Sequence, residues 1–216
     1  MDINQAIESV KGFQGASLTE SISDIETAIQ EMGIQEVQNF CSNRGVDDEF
    51  MAAALSIKKL AGQINTIIHA AGILRSLQDI LEPGEVIEYV SLGAGNTGRK
   101  FDLTTNKRVA EYKFIDWQGG AESIRQNSLF KDFFGLAEHE TDKKKFLYVV
   151  GDEFPLKFFN GGRKLSSVLS RQPKILMEIT EKYGAGIERV CHYYDIKKHE
   201  VKICDVTNHI GRGNSR

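Results

Sequence analysis

Two acidic residues and a lysine in the middle of the chain, Asp102, Glu111 and Lys113, have types and spacing that suit chemistry on phosphates. Between the acidic residues lies Asn106-Lys107, which suits the tight turn of a β-hairpin. With that turn, Asp102 lies directly across from Glu111, and the Cβ atoms of such a pair are about 5 Å apart. Lys113 shares their face, because side chains two residues apart in a strand point the same way.

Two carboxylates that face each other repel unless something lies between them. A divalent cation removes the repulsion, and hard oxygen ligands suit Mg²⁺ or Mn²⁺. Such a cation polarises a phosphate and lowers the pKa of a bound water, and Lys113 can orient that water or stabilise charge on the phosphate. The apolar neighbours of the strand indicate partial burial, where unpaired charges cost free energy. The pattern therefore predicts a phosphodiesterase site.

The elements around this hairpin follow from the spacing of apolar residues and from chain breakers. Helical spacing predicts a helical front third, with helices over residues 18–32, 34–43 and 47–81, the last ended by Pro83-Gly84. Strands are then predicted over residues 85–92, 100–104 and 108–116, a helix over 121–138, and a buried strand over 145–150. Further helices over 155–171 and 173–183 and a final hairpin of 187–194 with 200–206 complete the prediction.

Asp102 followed by Glu111-Tyr112-Lys113 resembles the PD-(D/E)XK nuclease superfamily, the restriction-endonuclease-like class. The family order of helix, three strands, helix and strand matches the predicted elements of residues 47–150. The resemblance implies an α/β (α+β) fold with a restriction-endonuclease-like core, in which helices flank a mixed sheet. It also implies that Asp102, Glu111 and the Tyr112 carbonyl hold Mg²⁺ or Mn²⁺ and that Lys113 assists catalysis. The family's usual proline before the aspartate is replaced by Phe101.

Several further residues are candidates for the same site. Family members often add an acidic ligand from the first helix or strand, and the sequence does not choose among Glu82, Glu85 and Glu88. On the helix of residues 121–138, Gln126 lies four residues before Phe130 and therefore on the inward stripe, where it is a candidate catalytic residue. The alternative for Gln126 is a hydrogen-bonded residue at the helix start. Arg125 and Lys131 are candidate phosphate contacts, with solvated surface as their alternative.

A competing motif, Gly93-Ala-Gly95-Asn-Thr-Gly98, matches the dinucleotide-binding fingerprint. That mechanism needs a helix N-terminus directly after the glycines, whereas residues 99–103 indicate a strand. We therefore expect no dinucleotide cofactor. The five histidines and three cysteines show no zinc-ligand spacing.

Composition sets the remaining expectations. The chain has 216 residues, of which 41% are hydrophobic and 26% charged, and its net charge of −3 gives no overall basic field for nucleic acid. The first residues lack the apolar core of a signal peptide and no stretch has the apolar length of a membrane span, so we expect a cytoplasmic location. We expect an N-terminal helical extension (1–46), a nuclease-like domain (47–210) and a disordered tail (211–216), with the helical N-terminal region as a candidate homodimer contact.

These observations lead to one functional hypothesis and one alternative. The hypothesis is a Mg²⁺-dependent endonuclease that hydrolyses phosphodiester bonds, with DNA favoured over RNA as the substrate. The alternative is a catalytically inactive module of the same fold that binds nucleic acid or protein.

Overall fold

The structure, a computed structural model, describes residues 2–93, 100–114, 117 and 122–209. The chain divides into two compact units, Met1–Asn65 and Thr66–Arg216. The domain boundary expected after residue 46 stays a prediction, and the expected tail of residues 211–216 lies outside the described residues. In the described ranges, no helix combines the length and the apolarity needed to cross a membrane.

The first unit is helical. It contains α1 (Ile3–Gln14), α2 (Leu18–Ala28), α3 (Ile34–Asn43) and the first half of α4 (Asp48–Ile80), which continues into the second unit. The sequence predicted the last three of these helices but missed α1. Asp2 begins α1, because its side chain accepts hydrogen bonds from the backbone N–H groups of Asn4 and Gln5. Phe13 of α1 packs on Phe50 of α4, with ring centroids 5.1 Å apart.

The second unit is built on one five-stranded mixed sheet. Its strands are β1 (Ile87–Val90), β2 (Leu103–Thr105), β3 (Arg108–Lys113), β4 (Lys144–Val149) and β5 (Val201–Asp205), and they are adjacent in that order. β1, β2 and β3 are antiparallel neighbours, whereas β4 lies parallel to β3 and β5 parallel to β4. The predicted mixed sheet flanked by helices is therefore confirmed.

Helices cover both faces of this sheet. The second half of α4 lies on one face, where Ile73 and Leu77 pack with Leu103, Ala110 and Tyr112. The other face carries α5 (Ser123–Ala137), α6 (Glu153–Phe159), α7 (Leu165–Val168), α8 (Pro173–Tyr183) and α9 (Val190–Lys197). The core on this side is aromatic, and its fully buried side chains include Phe130, Phe133, Phe159 and Tyr193.

Gly72 lets α4 approach the sheet closely. A Cβ atom at this position would lie 2.5 Å from Cε1 of the Phe114 ring, well inside van der Waals contact. A side chain at this position would therefore displace the ring.

Two predictions about the C-terminal third are wrong. Residues 187–194 do not form a strand of a final hairpin. Val190, Tyr193, Tyr194 and Lys197 are buried at helical spacing in α9, and β5 pairs in parallel with β4. The helix expected over residues 155–171 is two helices, since Gly161-Gly162 interrupts it between α6 and α7.

Candidate active site

The hairpin of β2 and β3 has the predicted register. Leu103 pairs with Ala110 and Thr104 with Val109, and the two strands are joined by Asn106-Lys107. Asp102 is the next residue along, so it lies opposite Glu111. Its side-chain Oδ2 accepts a hydrogen bond from the backbone N–H of Tyr112 at 3.0 Å. The backbone of the hairpin therefore fixes the position of the Asp102 carboxylate.

The carboxyl groups of Asp102 and Glu111 interact with each other, and their pKa values are shifted in opposite directions. Burial raises the pKa of Glu111 to about 9, and the negative charges of Asp132 and Asp102 add to this shift. Burial also acts to raise the pKa of Asp102, but hydrogen bonds from His69 and the Tyr112 backbone outweigh it and hold the pKa below its usual range. Burial therefore favours the protonated form of Glu111, which can donate a hydrogen bond to the Asp102 carboxylate.

Lys113 is ion-paired with a residue that the sequence analysis missed. Its Nζ lies 2.5 Å from Oδ2 of Asp132 in α5, and both side chains are mostly buried, at 24% and 13% exposure. Burial lowers the pKa of Lys113, but the charges of Asp132, Glu111 and Asp102 outweigh it, so the net shift is upward. Burial raises the pKa of Asp132, and Lys113 opposes that shift. The lysine is thus held as a cation among three carboxyl groups.

A signal for Asp132 was present in the sequence. It lies three residues after Leu129 and four before Leu136, and both leucines are buried. That spacing places Asp132 on the inward stripe of α5, where a charged residue needs a partner.

His69 is the second residue that the sequence analysis missed. Its Nε2 lies 3.5 Å from Oδ1 of Asp102, and its ring meets the Phe114 ring edge-on at 5.8 Å between centroids. His69 stands four and eight residues before the buried Ile73 and Leu77 in α4. This spacing places His69 on the same inward face of α4 as Ile73 and Leu77, so the sequence could have shown that His69 faces the sheet.

The predicted residues of α5 lie in different surroundings. Gln126 is buried, as its position on the inward stripe predicted, and its Oε1 finds no hydrogen-bond partner among the residues described. Arg125 is ion-paired with Glu122 at 2.5 Å. Together with Lys113 and Trp117 it lines a small cleft. Lys131 is exposed.

Each of the three candidates for an additional acidic ligand pairs with a basic residue. Glu85 binds Arg108 at 2.5 Å, Glu82 binds Lys144 at 2.8 Å, and Glu88 binds Lys143 at 2.6 Å. Burial acts to raise the pKa of Glu85, but its bonds to Arg108 outweigh this and lower the pKa to about 2. The third acidic residue whose charge acts on Asp102 and Glu111 is instead Asp132. Residues 94–99, which contain most of the glycine motif, lie outside the described part of the chain.

The donor set offers hard oxygen atoms. Two carboxyl groups within one hydrogen bond of each other can be bridged by a divalent cation, whereas the third is occupied by Lys113. Among the described residues, no group of three or more His, Cys, Asp and Glu side chains is placed to hold a metal ion. No family model, curated protein or solved structure matches the chain. Its function has to be inferred from the chemistry of these residues.

Proposed function

We propose that the chain is a metal-dependent nuclease of the PD-(D/E)XK, restriction-endonuclease-like class, acting on phosphodiester bonds of nucleic acid. The observation that carries this proposal is the pair of Asp102 and Glu111, which the hairpin register places opposite each other, with Lys113 two residues further along the same strand. A merely structural hairpin gains little from two opposed carboxyl groups in a mostly buried place, since burial disfavours their charged forms and raises the pKa of Glu111.

The order of elements supports the same proposal. A helix (α4), three antiparallel strands (β1, β2 and β3), a helix (α5) and a strand (β4) follow one another in the chain. This is the core order that the resemblance implies. Lys113 lies on the face of the sheet that α5 covers, because Asp132 reaches it from that helix, and Glu111 shares this face because it lies two residues earlier in β3.

In the proposed site, Asp102, Glu111 and the Tyr112 carbonyl hold Mg²⁺ or Mn²⁺. The cation, when bound, supplies charge that polarises the scissile phosphate and lowers the pKa of a water molecule. Asp102 keeps its orientation through the Tyr112 N–H and His69, and Glu111 would release its proton to solvent in order to act as a ligand. Lys113 is kept charged and in place by Asp132 and stabilises negative charge that develops on the phosphate.

Residues of α5 extend the proposed site towards the substrate. The buried Oε1 of Gln126 is available to accept a hydrogen bond from water or substrate. Arg125 and Lys131 are proposed to contact phosphates outside the reacting centre. DNA is the substrate to test first.

A cleavage assay tests the proposal. Plasmid DNA, single-stranded DNA and RNA are incubated with the purified chain in Mg²⁺, Mn²⁺ or EDTA, alongside Asp102→Asn, Glu111→Gln and Lys113→Met. We expect cation-dependent cleavage that falls at least 100-fold in each of these variants. Glu178→Gln, which neutralises an exposed carboxylate on α8, is the matched control and should cleave like wild type. Absence of cleavage on all three substrates, or wild-type cleavage by Glu111→Gln, would refute the nuclease.

The alternative is a catalytically inactive module of the same fold. The closed ion pair of Lys113 and Asp132 favours it, because a lysine that is fully engaged at 2.5 Å is less available to a phosphate. Binding of nucleic acid that is unaffected by Glu111→Gln, together with absence of cleavage in Mn²⁺, would support this alternative.

We also propose a cytoplasmic location. Cys41, Cys191 and Cys204 are free thiols in the described residues, which suits a reducing compartment. Cell fractionation with an antibody against the chain would test this.

A further inference from the structure

The first compact unit leaves most of its large apolar side chains in contact with water. In its described residues, 2–65, only two apolar residues are buried, and both are alanines, Ala6 and Ala53. Ten large apolar side chains of the same unit are between 37% and 81% exposed. They are Ile3, Ile7, Leu18, Ile22, Ile29, Ile34, Met51, Leu55, Leu60 and Ile64. A small unit with so little core has apolar surface that a partner can cover.

Two cavities of this unit adjoin where α1 lies beside the first part of α4. Their volumes are about 310 and 580 Å³, and Ala52 lines both, so together they form one groove. The apolar floor of the groove consists of Ile3, Ala6, Ala52, Ala53 and Leu60, and we call it the α1–α4 groove. Three of these five residues are alanines, so the backbone of another helix can approach the floor closely.

The charged residues that line the α1–α4 groove are all acidic. They are Asp2, Asp47 and Glu49, and among the described residues no lysine or arginine lines it. Asp2 and Asp47 each use one oxygen, Oδ1, to accept hydrogen bonds from backbone N–H groups at a helix start, so Oδ2 can accept from a partner. The whole unit has the same sign, because residues 1–65 include ten acidic and four basic residues, a formal net charge of −6.

Shape and charge together select a basic amphipathic helix as the occupant. An amphipathic helix binds a groove of this kind by laying its apolar side chains, at spacings of three and four residues, on the floor. Lysine or arginine residues on the flanks of such a helix would meet the carboxylates of the rim. A second copy of this unit, a nucleic acid or an anionic membrane would instead bring further negative charge to an acidic surface.

The length of the α1–α4 groove sets the length of the occupant. The part of α4 from Asp48 to Leu60 extends over about 20 Å, which a partner helix of about 13 residues matches. We propose that the α1–α4 groove binds a basic amphipathic helix of this length from a protein partner. This proposal does not depend on the nuclease, because none of the groove residues belongs to the proposed active site.

Fluorescence anisotropy of the full chain with two labelled peptides of about 14 residues tests the proposal. The first peptide has leucine at helical spacing and lysine at the remaining positions, and the second has the same leucines with glutamate in place of lysine. The salt concentration is about 0.15 M, so that only charges close to the groove act on the peptide. The lysine peptide should bind with a Kd below about 20 µM, and the glutamate peptide should bind at least about 30-fold more weakly.

Variants of the groove separate its charge from its apolar floor. Glu49→Lys combined with Ala52→Lys places two cations in the groove at exposed positions and should weaken binding of the lysine peptide at least about 10-fold. Ser23→Lys combined with Glu26→Lys is the matched control, because it makes the same change of charge at the same spacing on exposed positions of α2, and it should bind like wild type. Leu60→Gln removes apolar contact without a change of charge and should weaken binding about 3-fold or more. Lysine and glutamine are good helix formers, so the circular dichroism of each variant should match wild type.

Four results would overturn the proposal. The lysine peptide could fail to bind wild type at about 200 µM. The two peptides could bind with equal affinity, which would exclude recognition by charge. The two double variants could weaken binding equally, which would place the contact outside the groove. Light scattering could show dimers of the wild-type chain that the groove double variant abolishes, which would assign the groove to the homodimer expected from the sequence.

Discussion

The raised pKa of Glu111 should have a measurable effect on stability. The pKa of Glu111 is about 9 in the folded protein, against an ordinary value of 4.5. Between these two values the folded chain binds a proton that the unfolded chain has released. Folding stability therefore falls as pH rises through this window, by about 1.4 kcal/mol per pH unit for this group. From pH 4.5 to pH 7 the loss amounts to about 3 kcal/mol in the absence of a cation.

Glu111→Gln removes this loss. The amide keeps the hydrogen bond to Asp102, because its NH₂ group donates as the protonated carboxyl does. In EDTA, the variant should match wild type near pH 5 and exceed it by about 3 kcal/mol at pH 7. Other titrating groups are the same in both proteins, so they cancel in the difference.

Urea unfolding at pH 5, 6, 7 and 8 measures this difference. The only tryptophan, Trp117, packs against Phe154 and Phe158 in the second unit, so its fluorescence reports the unfolding of that unit. Glu178→Gln, at an exposed position, should differ from wild type by a small constant amount at every pH. A constant difference between Glu111→Gln and wild type from pH 5 to pH 8 would show that Glu111 is ionised at pH 7, contrary to our reasoning.

Three further predictions concern the cation, the ion pair and the close approach of α4. Mg²⁺ or Mn²⁺ at 100 times its Kd should stabilise wild type by about 2.7 kcal/mol. Glu111→Gln should show a smaller rise in Tm in the same thermal scan. Equal rises in Tm would exclude Glu111 as a ligand. Asp132→Asn should destabilise the fold by about 1–3 kcal/mol in urea, because Lys113 loses a charged partner, and an unchanged midpoint would mean that water replaces the pair. Gly72→Ala should lower the free energy of unfolding by about 1–3 kcal/mol, because its methyl group would overlap the Phe114 ring. Gly62→Ala is the control; because there is open space around this glycine, its free energy of unfolding should stay the same or rise by up to about 1 kcal/mol. Equal midpoints for the two alanine variants would contradict the packing at the first glycine.

The sequence predicted what depends on local spacing. A two-residue turn and the strand period are enough to place Asp102 opposite Glu111, and the register of β2 and β3 agrees. Asp132 and His69 reach the same site from helices that lie far away in the chain. Their inward positions could be read from the spacing of their buried neighbours, but the identity of their partners depends on how each helix packs on the sheet.

The prediction was wrong where two local patterns compete. In α9, eight residues are too few for the helical and the strand period to be separated by apolar spacing alone. The parallel pairing of β5 with β4 joins strands that are separated by four helices. Such a pairing contains no tight turn, so no turn motif in the sequence could have predicted it. α1 was missed because its polar sequence exposes most residues and buries only Ala6.

The absence of a side chain at residue 72 also limits how α4 can move. The Phe114 ring fills the space beside the backbone of this helix, so α4 cannot slide along β3 or turn about its own axis without first displacing that ring. His69 lies one helical turn earlier on the same rigid element. The packing of Gly72 against the Phe114 ring therefore also fixes the position and the orientation of the His69 imidazole relative to Asp102.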